Sequence, residues 1–162
     1  MEPAAFRKSL EETLDSLPGV QGVNNHMGSR LTTLRPQMDW VMEELAERQL
    51  FFVDSRTQAA TQAAIAAEAR GLATLSRDVF LDNARDQASL EQAMGVAIAK
   101  ARKQGFAVLI GHPYPETMAF LSSRLARVAE AEGVQLVSLQ QLLARRQAAV
   151  QSRPQTASEA ER

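Results

Sequence analysis

Short apolar runs alternate with amphipathic segments along most of this chain, and that rhythm admits few folds. The runs are Val20-Gln21-Gly22-Val23, Leu50-Phe51-Phe52-Val53, Leu72-Ala73-Thr74-Leu75, Phe106-Ala107-Val108-Leu109-Ile110 and Val134-Gln135-Leu136-Val137. Runs this short, with β-branched and aromatic content, read as buried strands. Phe106 to Ile110 is apolar without alternation, as a parallel strand covered on both faces would be. Between the runs the pattern is helical. Leu34 to Arg48 puts Met38, Val41, Met42 and Leu45 on one stripe, with Pro36 early enough for a first turn to tolerate it. Thr57 to Arg70 is rich in Ala and Gln and stops at Gly71, Leu90 to Gln104 stops at Gly105, and Thr117 to Glu132 stops at Gly133. A first helix runs from Ala4 to about Leu17, ahead of Pro18-Gly19. Ser138 and Gln141 form a capping-box pattern that opens a last helix to about Ala149.

Strict alternation of strand and helix with short turns predicts an α/β fold with parallel strands, either an open sheet or a barrel. Trp40 and the Met residues fall on helix stripes and read as core. The length of 162 residues suits one domain. That domain spans residues 1–150, and residues 151–162, almost without apolar side chains, read as a disordered tail. A net charge of −1 gives no basic footprint for nucleic acid and no polybasic run for an anionic membrane. No stretch approaches the roughly 18 apolar residues of a membrane-spanning helix, and the first residues contain no signal-peptide core. The absence of Cys excludes disulfides, thiolate nucleophiles and Cys-ligated zinc.

In parallel βα folds the working residues lie just past the carboxyl ends of the strands. Those positions here are Asn24-Asn25-His26-Met27-Gly28-Ser29-Arg30, Asp54-Ser55-Arg56-Thr57, Arg77-Asp78-Val79-Phe80-Leu81-Asp82-Asn83 and Gly111-His112-Pro113-Tyr114-Pro115. Both His of the chain fall among them. Neutral imidazole and carboxylate are common metal ligands, and a zinc site with an open position needs three protein ligands. Bland readings stand beside this one. His26 could be a hydrogen-bonded core imidazole and His112 could shape a turn between Gly and Pro. Asp54 could cap the next helix. Asp78 and Asp82 could be solvated, or paired with Arg30 and Arg56. No HExxH helix, GxSxG elbow, P-loop or GxGxxG motif is present.

Taken together, the four strand-end blocks, in this order and across Met1 to Leu143, resemble the divergent polysaccharide deacetylase family. The resemblance implies an incomplete β/α barrel and metal-dependent removal of acyl groups from a carbohydrate substrate, with zinc as the metal and a periplasmic or exported location. It carries His26 over as a metal ligand and His112 as the general acid. Asp54 and Arg56, in the family's Asp-Ser-Arg-Thr turn, orient His112 or substrate, and Asn25, Ser29, Asp78 and Tyr114 line the pocket. Met1-Glu2-Pro3 resembles the end of a family segment. On that expectation two strands, an Asp-Asp pair and one His of the family pattern are missing, leaving a barrel fragment with little activity and open strand edges prone to self-association. The alternative is a non-catalytic carbohydrate-binding or envelope-associated protein. A flavodoxin-like open sheet of unrelated function leaves the match of the four blocks unexplained.

Overall fold

The computed structural model describes residues 2–151. The chain runs through α1 (Pro3–Asp15), β1 (Gly22–Asn24), a single 3-10 turn (Leu31–Thr33), α2 (Arg35–Glu47), β2 (Phe51–Asp54), α3 (Ala63–Ala69) and β3 (Thr74–Ser76). It continues through β4 (Val79–Phe80), α4 (Gln87–Gln104), β5 (Leu109–Ile110), α5 (Pro115–Glu132) and α6 (Leu139–Gln151). Every strand pairing is parallel. β1, β2 and β3 form one sheet in that order, with Val23 opposite Phe52 and Val53 opposite Leu75. β4 pairs separately with β5, Val79 opposite Leu109. The architecture is therefore α/β with parallel strands, open rather than closed, as expected of a partial barrel.

β3 and β4 are separated only by Arg77 and Asp78, so one stretch of chain serves both sheets. Its first half is level with the end of β2, because Asp54 pairs with Ser76. Its second half is level with β5, because Phe80 pairs with Ile110. β5 therefore ends several residues further along the strand direction than β2 does. This stagger is the shear that a barrel wall requires.

Helices cover the sheet on both sides. Phe52 faces α1, α2 and α3, packing in a cluster with Leu14, Met42, Leu45, Ala63 and Ala66. The next residue, Val53, faces the other way and joins Leu75, Val108, Leu142 and Leu143, which places α6 against the inner face. A third cluster joins α4 to α5 through Leu90, Met94, Ile98, Phe120 and Val128. Met42 and Leu45 are fully buried, so truncating either to Ala costs about 2–5 kcal/mol. No helix among the described residues is long and apolar enough to cross a membrane.

Three elements differ from the sequence reading. The helix expected from Thr57 begins only at Ala63, because side chains hold residues 55–62 in turns. Thr61 Oγ1 donates to Asp54 and accepts from the Ala63 amide, an arrangement that competes with helix. The run Val134 to Val137 makes no strand. Val134 and Val137 turn into different clusters, and Leu136 is exposed. β4, expected as loop, is a two-residue strand. The capping box is present as expected, Ser138 N donating to Gln141 Oε1 and Gln141 N to Ser138 Oγ. The expected tail lies outside the described residues except for Gln151, which ends α6.

Two glycines give opposite expectations for the same substitution. A Cβ at Gly22 would sit 2.3 Å from the Phe51 ring, so Gly22→Ala forces a partly buried aromatic aside and destabilises by about 1–3 kcal/mol. Gly95, exposed in the middle of α4, has open space around it, and Gly95→Ala stabilises by about 0.5–1 kcal/mol. Urea unfolding of the two variants checks both signs.

Candidate active site

The carboxyl ends of the strands meet around His112. This residue follows β5 after Gly111, and its ring lies between those of Phe80 and Tyr114, at centroid distances of 5.4 and 5.2 Å. The Arg77 guanidinium covers Phe80 at 5.2 Å, and that of Arg85 covers Tyr114 at 4.6 Å. His26 stands edge-on to His112 with ring centroids 5.6 Å apart. The two histidines of the sequence are thus brought together, although they are carried by β1 and β5 in different sheets.

The residue that holds His112 is Asp82. Its carboxylate accepts from the backbone N–H of His112, lies 3.1 Å from His112 Nδ1, and accepts from Thr117 Oγ1 at 3.0 Å. The Asp82 side chain is fully buried, and Thr117 sits in the first turn of α5. Burial alone would raise the carboxyl, but the His112 amide, the His112 ring and the Thr117 hydroxyl outweigh it and hold Asp82 below its ordinary value. An ionised carboxylate only accepts, so the proton on the neutral ring sits at Nδ1 and Nε2 keeps its lone pair. Gly111 permits this approach, since a Cβ there would lie 3.3 Å from Asp82 Oδ2.

Asp54 does not orient His112. It is fully buried, and its oxygens accept from the Arg56 amide at 2.8 Å and from Thr61 Oγ1 at 3.0 Å. It closes the turn after β2 and does not cap α3, which starts nine residues later. Asp78 lies at the level of Val108, just before β5, and its carboxylate serves the structure. It accepts from Val108 N and Gln104 Nε2 and faces Lys100 at 3.7 Å. Neither Asp78 nor Asp82 pairs with Arg30 or Arg56, and Asp82 is not solvated.

Asn25 stitches loops together. Its Oδ1 accepts from Ser55 N at 2.8 Å and its Nδ2 donates to Met27 O at 3.3 Å, while Thr57 Oγ1 donates to the same carbonyl at 3.0 Å. Arg77 then ties the turn after β2 to β3 through Ser55 O and Arg56 O. Two non-glycine residues in these loops, Met27 at φ 58° and Arg56 at φ 48°, take the left-handed conformation, at about 1–3 kcal/mol each. Ser29, Arg56 and Tyr114 are exposed at the mouth. A cavity of about 880 Å³ lies between α4, α5, α6 and the start of β5, and none of the residues around His112 lines it.

With this geometry in view, comparisons with known proteins place the chain. The model of the divergent polysaccharide deacetylase family matches residues 1–143, and the chain belongs to that family. An uncharacterized protein of Haemophilus influenzae is 41% identical over 118 residues, covering 73% of this chain and 41% of that protein. The uncharacterized protein YibQ of Escherichia coli is 36% identical over 121 residues, covering 75% of this chain and 38% of its own length. The chain thus spans about two-fifths of these relatives. The crystal structure of the uncharacterized protein ATU2773 from Agrobacterium tumefaciens C58 superposes with a TM-score of 0.83 at 23% identity, over 88% of this chain and 57% of that one, and so shares its fold.

Sequence reasoning missed Asp82 as the partner of His112, together with Thr117 and Phe80. The available signal was the strand-like pair Val79-Phe80, which sets Asp82 at a strand end level with Gly111-His112.

The depressed Asp82 carboxyl makes folding pH-dependent. Between its folded value and the ordinary value of about 3.9, the unfolded chain binds the extra proton, so stability rises with pH. The contribution is complete above about pH 4 to 5 and is lost as the pH falls through the depressed value. Asp82→Asn flattens this acid limb and destabilises at pH 7 by about 1–3 kcal/mol, as a buried network loses its best acceptor. Urea midpoints from pH 3 to 7 measure both effects.

Proposed function

We propose that this chain carries the proton-donating side of a carbohydrate deacetylase site, one that hydrolyses an N-acyl amide on a sugar. The observation that supports this reading is the Asp82–His112 pair at the strand ends, with Nε2 facing away from Asp82 and the ring partly open to solvent. In amide hydrolysis water adds to the carbonyl carbon, the C–N bond breaks, and the leaving nitrogen takes up a proton. His112, when protonated, supplies that proton from Nε2. Asp82 keeps Nδ1–H in place and stabilises the imidazolium. Tyr114 and Ser29 border the space where the sugar would lie.

Zinc, expected from the family, is not accommodated by these residues alone. Among the described residues no three of His, Cys, Asp and Glu gather to hold a metal, and His26 with His112 provides only two rings. Asp82, the carboxylate bonded to His112, is committed to internal donors, and so is Asp54, which leaves neither free to activate water. That commitment favours the second reading, carbohydrate binding without turnover by this chain. A periplasmic or exported setting belongs to the same family reading. Self-association would use the outer edges of β1 and β5, which are unpaired among the described residues.

Acetate release from tetra-N-acetylchitotetraose by this chain, with zinc supplied, is expected to stay at the uncatalysed background. The same sugar should shift the NMR signals of His112 and Tyr114. Rapid zinc-dependent turnover contradicts the missing-base argument, and absence of any shift contradicts the carbohydrate reading.

A further inference from the structure

The mouth continues past His112 along a line of side-chain contacts. The Tyr114 ring lies 5.2 Å from the His112 ring, the Arg85 guanidinium covers Tyr114 at 4.6 Å, and Arg85 faces Glu116 across 3.9 Å. The line ends at a pocket of about 400 Å³ between α4 and α5, near the amino-terminal ends of both helices. Arg85, Gln87, Glu116 and Ser123 supply its polar lining, and the buried side chains of Leu90 and Phe120 supply apolar lining.

The chemistry of this lining suits an uncharged polyol. A guanidinium only donates and a carboxylate only accepts, whereas a sugar hydroxyl does both, so neighbouring hydroxyls can accept from Arg85 and donate to Glu116. A gap of 3.9 Å is too long for a hydrogen bond, so neither group spends its donors or acceptors on the other. Among the described residues neither side chain makes a hydrogen bond elsewhere. Both are about half exposed, so the pair adds little to stability and is not there to hold the fold. One positive and one negative charge cancel, which gives an anion no advantage over a neutral ligand. An apolar wall with a few convergent polar groups, at this volume, is what a small-ligand pocket requires.

Resting on the deacetylase-site reading above, we propose that this pocket is a second sugar subsite. An uncharged sugar unit, next along the glycan from the one at His112, has its hydroxyls held between Arg85 and Glu116. Tyr114 lies between the two units. Affinity therefore depends on glycan length, and Arg85 and Glu116 determine that dependence.

NMR titrations of the full chain with tetra-N-acetylchitotetraose and with N-acetylglucosamine test this. The tetramer is expected to bind about tenfold more tightly than the monomer. It should shift the side-chain amide of Gln87 as well as the signals of His112. Arg85→Ala and Glu116→Ala should each remove the tetramer's advantage and leave the monomer's affinity unchanged, which a general structural defect would not. Circular dichroism verifies that each variant is folded. Equal affinity of the two sugars, a Gln87 amide that does not move, or a length advantage that survives both substitutions overturns the proposal. A shift at His112 in any of those cases leaves the carbohydrate reading standing. Failure of both sugars to shift His112 overturns the proposal and the carbohydrate reading together.

Discussion

A carboxylate buried away from water costs several kcal/mol unless its oxygens are bonded, and in this fold Asp82 carries that cost. Its compensation comes from three donors: the His112 amide, the His112 ring and the Thr117 hydroxyl. Those donors belong to the loop after β5 and the first turn of α5, while Asp82 itself follows β4. Satisfying one carboxylate therefore fixes where two strands end and where a helix begins. The same bonds set the tautomer of the His112 imidazole. Stability and site geometry are thus two consequences of a single buried charge.

The rest of the mouth is positioned by a different device. β5 reaches further than β2 because β3 and β4 share one stretch of chain, so the strand ends form a slope rather than a level rim. Asn25, Ser55, Thr57 and Arg77 stitch the lower part of that slope through backbone carbonyls and amides. The stitching consumes the side chains of Asn25 and Asp54 and leaves those of Arg56, Ser29 and His26 facing solvent. Which polar residues stay exposed at the mouth is decided by which ones the loops do not need.

Much of this order is legible in the sequence, for physical reasons. Helix periodicity and terminating glycines mark α1, α2, α4, α5 and α6 to within a few residues. The rule that parallel strands expose their carboxyl ends gathers His26, Asp54, Asp82 and His112 before any coordinate is known. The pairing is not legible, because Asp54 and Asp82 are equivalent in composition and differ only in the register of β4 against β5. A two-residue strand is too short to announce itself by alternation. The stretch from Thr57 to Gln62 has helical composition, yet Thr57 and Thr61 spend their hydroxyls on bonds that hold turns. The run from Val134 to Val137 has strand composition but no ladder partner. Composition reports what a segment can form, and the neighbours decide.

The claim on which the account turns is that Asp82 fixes the protonation geometry of His112. Nitrogen-15 NMR of the imidazole side chains above pH 7 measures it directly. The account predicts that neutral His112 carries its proton on Nδ1 with Nε2 unprotonated, and that Asp82→Asn abolishes this preference. A His112 ring protonated at Nε2 in the unaltered chain, or a tautomer unchanged in Asp82→Asn, would contradict it.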